Sequence, residues 1–309
     1  MRALLRTLAA HGELAKVRLS LLVVVTTAAG FLLAEPHGWG VRLALTCFGT
    51  ALAAAGAMAL NQALEVERDR RMARTAHRPL VTGFFSRRYG TVFGLGAATA
   101  GLGLLLFQVN ALTAALGLAV VLLYVLVYTP LKVRTPFCTL VGAVCGALPP
   151  MMGWAAARGQ LQGGAFLLAA LLFFWQIPHF LSLAWLYRDD YRRGGFRMLP
   201  EVDPQGQLTA RFSLLYGLAT VATTLSFVAA RLAGPPFAVA ASALGVLLLA
   251  PAYQLLRGAS QRAARKLFLA TLAYLPLVLA FLVWERHTWA GSATAVTARA
   301  TLHAPLTAR

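Results

Sequence analysis

The chain has 309 residues, of which 59% are hydrophobic, and carries a net charge of +18 with a mean hydropathy of +0.69. This composition excludes an ordinary soluble domain and predicts an integral membrane protein. Because the basic residues are scattered between long apolar runs, they indicate membrane topology and not a nucleic-acid-binding patch, so no nucleic-acid partner is expected.

Nine apolar runs approach the roughly 20 residues that a helix needs to cross a bilayer. They are continuous and do not alternate, which predicts helices and not the strands of a barrel. The fold class is therefore all-α integral membrane, with about nine transmembrane helices in a bundle. We call the runs spans 1 to 9; they lie near residues 19–35, 42–64, 89–107, 110–128, 138–157, 163–185, 212–231, 235–256 and 267–284.

The distribution of basic residues predicts the orientation of the bundle. Twenty-two of the 28 Lys and Arg residues fall on the side that holds the N-terminus, which predicts a cytoplasmic N-terminus. The predicted divisions are a cytoplasmic segment over 1–18, a transmembrane domain over 19–285 and a disordered tail over 286–309. Span 1 could also be the apolar part of a signal peptide, but its length favours a retained helix.

The loops on the predicted cytoplasmic side differ in length and charge. The loops after spans 2 and 6 are long, and the acidic residues concentrate in them. The loops after spans 4 and 8 are shorter and carry only basic charge. This alternation predicts two four-helix halves plus a ninth helix. Seven of the ten acidic residues lie within 65–69 and 189–203, so these two loops are the candidate site.

The first acidic cluster follows a helical spacing. Asn61, Glu65 and Asp69 are four residues apart, which places three oxygen-bearing side chains along one stripe at the end of span 2. Mg²⁺ takes such oxygen ligands together with substrate phosphates, and Arg74 and Arg78 follow with guanidinium groups that match phosphate oxygens. The alternative is an acid–base mixture that merely solvates a helix end.

The second cluster begins inside span 6 and emerges at Asp189 and Asp190, which are expected to complete a second metal site. Pro178 is expected to kink the span. Beside it, His179 is an ionisable residue at membrane depth, which favours a functional role. The alternative is a neutral histidine that is hydrogen-bonded to a neighbouring helix, and Trp175 is interpreted as packing.

A third segment lies between spans 4 and 5. Lys132 and Arg134 are predicted to face the cytoplasm and bind a phosphate tail. Within span 5, the pair Pro149–Pro150 is expected to break or kink the helix.

Together these segments resemble the UbiA-type intramembrane prenyltransferases and, among them, the protoheme IX farnesyltransferases (heme O synthases), over about residues 15–285. The stripe Asn61–Asp69 resembles the first metal-binding motif of the family. The stretches that resemble the heme branch are Met72–Pro79, Tyr128–Lys132, Pro149–Trp154, Trp175–Phe180 and Asp190–Pro200. Two positions depart from the pattern: Glu65 stands where aspartate is frequent, and Gly194 interrupts the second acidic ladder.

The resemblance implies transfer of farnesyl from farnesyl diphosphate to a vinyl group of heme B, with water addition, in the lipid bilayer. It implies Mg²⁺ bound by Asn61, Glu65, Asp69, Asp189 and Asp190. Catalytic roles are implied for Asn61, Glu65, Asp69, Asp190 and His179, the last against heme; diphosphate binding is implied for Arg74, Arg78, Lys132 and Arg134.

The location implied is the cell (inner) membrane, with the active site on the cytoplasmic side and heme A synthase or a terminal oxidase as an assembly partner. Two other functions stay open from the residues alone. A prenyltransferase acting on an aromatic quinone precursor would share the fold and the first motif. A polytopic transporter would share the helix number, but it usually places its polar binding residues near the membrane midplane.

Overall fold

The computed structural model describes residues 1–302, with side chains at residue 1 and residues 4–288. In this part of the chain nine helices are long and apolar enough to cross a membrane, which confirms the all-helical, nine-span fold. Most of the predicted tail over 286–309 lies outside the residues whose side chains are described, and its disorder stays a prediction. The observed spans are, in order, Val17–Ala34, Val41–Asp69, Arg87–Gln108, Ala111–Leu131, Cys138–Arg158, Gly163–Leu186, Gln207–Ala229, Pro235–Arg257 and Gln261–Thr288, the last within a helix Gln261–Leu302.

Several spans are longer than their apolar runs. Spans 7 and 9 begin at Gln207 and Gln261, before the predicted starts near 212 and 267. The added turns carry basic residues such as Arg211 and Arg265. A prediction based on apolar residues ends at these positions. The helix continues past them because its backbone hydrogen bonds do not depend on apolar side chains.

The N-terminal segment is helical, which the sequence analysis did not predict. The helix Arg2–Leu14 is amphipathic, and its leucines at positions 4, 5 and 8 are exposed. Two residues after this helix, Lys16 has the left-handed backbone angle φ 44° and directly precedes span 1. The reversal brings the Lys16 side chain back over the end of span 2.

Small residues let the spans pack closely. A Cβ at Gly56 of span 2 would lie 2.5 Å from the carbonyl oxygen of Gly94 in span 3. A Cβ at Gly30 of span 1 would lie 2.0 Å from the carbonyl oxygen of Pro150 in span 5. Backbones therefore touch at both places, as is typical of helix packing in membranes.

The expected break at Pro149–Pro150 is wrong. Span 5 is helical from Cys138 to Arg158 with both prolines inside it, and both are buried. Neighbouring helices stabilise proline within transmembrane helices, and Gly30 of span 1 leaves room for this turn. Span 6 likewise runs unbroken through Pro178.

Two short helices cover the end of the bundle that carries the acidic clusters. Arg188–Arg193 and Leu199–Val202 follow span 6. Between them Phe196 and Met198 pack with Met72 of the loop after span 2 and with Cys138 of span 5. The two loops that the sequence singled out are therefore in contact with each other.

Candidate active site

The stripe at the end of span 2 is buried. Asn61, Glu65 and Asp69 are 0%, 5% and 1% exposed, although two of them carry carboxylates. Buried carboxylates need charged or hydrogen-bonding partners, so the groups facing this stripe determine what it can bind.

Three cationic side chains from three different segments meet the stripe. Lys132 Nζ lies 2.6 Å from Glu65 Oε1, and Arg78 Nη1 lies 2.5 Å from Asp69 Oδ2. Lys16 Nζ donates a hydrogen bond of 2.7 Å to Asn61 Oδ1. Arg78 and Lys132, which were predicted to bind diphosphate, thus pair with the carboxylates of the stripe, and Lys16 is a further cation at the same place. Their diphosphate-binding role stays a prediction.

Lys16 is a site residue that the sequence analysis missed. Burial lowers the pKa of its ammonium group, and so do the neighbouring charges of Arg78 and Lys132. Glu65 and Asp69 act in the opposite direction, and the resulting pKa is about 7. A lysine directly before span 1 was the only signal in the sequence. A lysine at this position is typical of any membrane boundary. The left-handed turn that directs its side chain inward cannot be predicted from the residues.

The oxygen atoms of the stripe fit a hard cation. Glu65 Oε1 and Asp69 Oδ1 are buried without a hydrogen-bond donor among the described residues. Glu65 Oε1 is close to Lys132 but not aligned for a hydrogen bond, so it is paired by charge alone. The carboxylate of Asp69 pairs with Arg78 through Oδ2, and its Oδ1 has no hydrogen-bond partner among the described residues. One amide and two carboxylates, with substrate phosphates and water, suit Mg²⁺.

Span 4 contributes to the site through an irregular turn. Residues Leu123–Tyr128 form a π-helix immediately before Pro130, which has no N–H to donate. The wider turn is followed by Thr129, whose Oγ1 accepts a hydrogen bond of 3.0 Å from Asn61 Nδ2. Insertions of this kind are frequent at functional sites, and here the turn precedes both Thr129 and Lys132.

Asp190 connects the two acidic clusters. Its carboxylate accepts hydrogen bonds of 3.3 Å from the backbone N–H groups of Ala73 and Arg74, and it pairs with Arg193. Burial raises the pKa of this carboxyl, but the hydrogen bonds from Arg193 and the two backbone groups outweigh it, so the net pKa is lowered. Asp190 is therefore an anion that fixes the loop after span 2.

The metal role of the second cluster stays a prediction. Asp189 is exposed, and the oxygens of Asp190 already accept from the loop. Among the residues with described side chains, no group of three or more His, Cys, Asp or Glu is close enough to hold a metal. The best-arranged set is thus the amide and two carboxylates of span 2.

Among the residues with described side chains, the remaining predicted residues, Arg74, Arg134 and His179, form no side-chain hydrogen bond or ion pair with the stripe. The Arg74 guanidinium lies 5.4 Å and 5.8 Å from the ring centroids of Tyr187 and Tyr191. Arg134 is exposed and forms no ion pair with a described residue. His179 lies in span 6 and contacts span 9, where Thr271 Oγ1 is 2.9 Å from its Nδ1.

Comparison with known proteins identifies the family of the chain. The model of the UbiA prenyltransferase family matches residues 23–275. A protoheme IX farnesyltransferase of Koribacter versatilis is 41% identical over 291 residues, covering 89% of this chain and 93% of the relative. A protoheme IX farnesyltransferase of Opitutus terrae is 41% identical over 275 residues, covering 89% of this chain and 93% of the relative.

Solved structures with little sequence identity share the fold. A digeranylgeranylglyceryl phosphate synthase superimposes with a TM-score of 0.77 at 16% identity, over 92% of this chain and 99% of that one. A UbiA homologue from Archaeoglobus fulgidus, bound to GPP and Mg²⁺, has a TM-score of 0.62 at 14% identity, over 88% and 99%. The family model, which matches most of the chain, and the relative at 41% identity show that the chain belongs to the UbiA prenyltransferase family.

Proposed function

We propose that the protein transfers the farnesyl group of farnesyl diphosphate to a vinyl group of heme B and, with addition of water, forms heme O. The observation that carries this proposal is the buried stripe of Asn61, Glu65 and Asp69 facing three cations. It occurs in a chain that is 41% identical to a protoheme IX farnesyltransferase over most of its length.

Mg²⁺ is proposed as the cofactor of this site. Asn61, Glu65 and Asp69 would hold it, with Asp189 and Asp190 as the proposed second site. When bound, the metal supplies positive charge against the diphosphate leaving group. The donor set carries this proposal, and the Mg²⁺ described for the homologue from Archaeoglobus fulgidus supports it.

The protein's own cations would stabilise the departing diphosphate. Lys132, Arg78 and Lys16 already converge on the end of span 2, with Arg74 and Arg134 in the flanking loops. Fixed positive charge of this kind stabilises negative charge that develops in the transition state. It requires no reorganisation when the C–O bond breaks.

The bond changes need no protein nucleophile. The C1–O bond of farnesyl diphosphate breaks with the electron pair leaving on diphosphate, and a vinyl carbon of heme B forms a bond to C1. Water then adds to the other vinyl carbon and loses a proton. The apolar spans would keep water from the allylic cation until the carbon–carbon bond has formed.

The proposed location follows from the charge distribution. Twenty-two of 28 basic residues lie on the side of the acidic clusters, which favours the cytoplasmic side of the cell membrane. Farnesyl diphosphate is amphiphilic and would reach the site from the bilayer. Assembly with heme A synthase or a terminal oxidase stays a proposal from the family resemblance.

Removal of magnesium should stop the reaction reversibly. With labelled farnesyl diphosphate and heme B, we expect the label to move into the heme fraction of protein-containing membranes. A chelator should reduce this transfer to background, and excess Mg²⁺ should restore it, because the leaving group would lose part of its charge stabilisation. Transfer that persists in chelator would contradict the metal role, and label that never enters heme would contradict the acceptor.

A further inference from the structure

The imidazole of His179 is held by two aromatic rings. Trp175, one helical turn earlier in span 6, stacks on it with centroids 4.9 Å apart and an interplanar angle of 18°. Phe268 of span 9 also stacks on it, at 5.0 Å and 26°. The two rings, one from each helix, fix the orientation of the imidazole.

Hydrogen bonds also fix the tautomer of His179. Thr271 Oγ1 lies 2.6 Å from the carbonyl oxygen of Phe268. A carbonyl only accepts, so the threonine hydroxyl must donate its single proton there. The same Oγ1 lies 2.9 Å from His179 Nδ1 and can only accept from it. Nδ1 therefore carries the proton, and Nε2 of the neutral ring has a free lone pair.

Trp175 reinforces the same contact. Its Nε1 donates a hydrogen bond of 2.9 Å to the backbone carbonyl of Thr271. Spans 6 and 9 are thus joined at one level by two hydrogen bonds and by the stacked rings. The interpretation of Trp175 as packing is too simple, because this side chain also positions the residue that orients His179.

The free nitrogen points to a ligand. Among residues 4–288, whose side chains are described, none is hydrogen-bonded to His179 Nε2, and the residue is only partly buried. An imidazole whose Nδ1–H is held by an oxygen acceptor, with Nε2 free, is the arrangement of metal-binding histidines. An iron porphyrin is the metal-bearing molecule of the proposed reaction.

We propose that His179 Nε2 is an axial ligand of the iron of heme B and that Thr271 is the positioning residue that presents it. This inference rests on the proposed function and names the heme-binding part of the site. His179 is eleven residues before Asp190 in the sequence and lies inside span 6, which ends at Leu186, whereas Asp190 lies in the short helix Arg188–Arg193 beyond that end. A heme bound there would lie deeper than the diphosphate, so its edge, and not its iron, would face the prenyl donor.

The test is a spectroscopic titration of the purified full-length protein with ferric heme B. Wild-type protein should give the Soret band and electron paramagnetic resonance signal of imidazole-ligated iron. His179→Ala should lose both features, and added imidazole should restore them. The matched control is His287→Ala, which removes an exposed histidine whose Nδ1 lies 3.0 Å from the carbonyl oxygen of Pro36. This variant should give the wild-type spectrum.

A second pair of variants tests the positioning role. Thr271→Val removes the acceptor at nearly constant volume and should weaken heme binding about 10-fold, as for other groups that orient a metal-binding histidine. Thr271→Ser keeps the hydroxyl and should restore the wild-type titration. The two Thr271 variants test the ligand assignment even where His179→Ala does not fold, because neither Thr271→Val nor Thr271→Ser opens a large cavity.

The outcomes separate this inference from the proposed function. An unchanged heme spectrum in His179→Ala, or equal titrations for the Val and Ser variants, would overturn the ligand assignment while farnesylated heme still forms. A wild-type protein that neither binds heme nor farnesylates it would instead overturn the proposed function.

Discussion

A Glu65→Gln/Asp69→Asn variant is expected to lose at least about 10³-fold in the rate of farnesyl transfer to heme B. The amides keep the shape of both side chains but remove the negative charge that would hold Mg²⁺. Both carboxylates are buried, at 5% and 1% exposure, so water cannot replace them. Initial rates in membranes with matched amounts of protein give the measurement.

Stability must be measured beside activity in this variant. Lys132 and Arg78 would remain partly buried without an anionic partner. Breaking one buried ion pair in this way typically lowers the free energy of unfolding by about 3–5 kcal/mol. Wild-type protein should gain thermal stability from Mg²⁺ with farnesyl diphosphate by mass action, and the variant should not. A folded variant that keeps wild-type activity would contradict the assignment of the stripe.

Glu67→Gln is the control for this experiment. Glu67 lies between the two carboxylates in the sequence, but its partner is Arg70 at 3.0 Å and both side chains are more than half exposed. The control therefore removes one acidic charge from the same helix end without touching the buried stripe. It should keep wild-type activity within about twofold, as surface pairs contribute little.

An Arg78→Met variant is the second large effect that we expect. The guanidinium lies 2.5 Å from Asp69 Oδ2 and is mostly buried, so it provides fixed charge at the end of the stripe. Loss of one such group typically lowers the rate 10²–10³-fold, and kcat/KM for farnesyl diphosphate should fall by about that factor. Methionine keeps most of the apolar stem, which limits the packing change.

Arg70→Met is the matched control, because Arg70 belongs to the same loop and also pairs with an acidic residue, but at the surface. Equal losses in the two variants would show that general basic charge, and not the position of Arg78, is what the reaction needs. A loss confined to Arg78→Met supports the geometry described for the stripe.

The helices and the main acidic stripe were predictable because each depends on neighbours in the sequence. Apolar runs gave nine spans, and the spacing of Asn61, Glu65 and Asp69 gave one helical face. Both follow from a single helix and need no tertiary information. The helix Arg2–Leu14 was missed because it is amphipathic and too short to be an apolar span.

The rest of the site depends on contacts between distant residues. Lys16 meets Asn61 across 45 positions, and His179 meets Thr271 across 92. Nothing in the sequence near Thr271 marks it as a partner of His179. Asp190 also depends on distant residues, since its carboxylate accepts hydrogen bonds from backbone N–H groups of a loop more than one hundred residues earlier. The spacing of the acidic residues in the sequence suggested only a metal role for it.

The central claim is that heme B is the acceptor of a farnesyl group, and the mass of the product tests it most directly. Membranes containing the protein would receive heme B, an aromatic quinone precursor, farnesyl diphosphate and Mg²⁺, followed by chromatography and mass spectrometry. We predict one new heme species, heavier by a farnesyl group plus one water, that is absent from the Glu65→Gln/Asp69→Asn variant. Unchanged heme B beside a prenylated aromatic product would contradict the account.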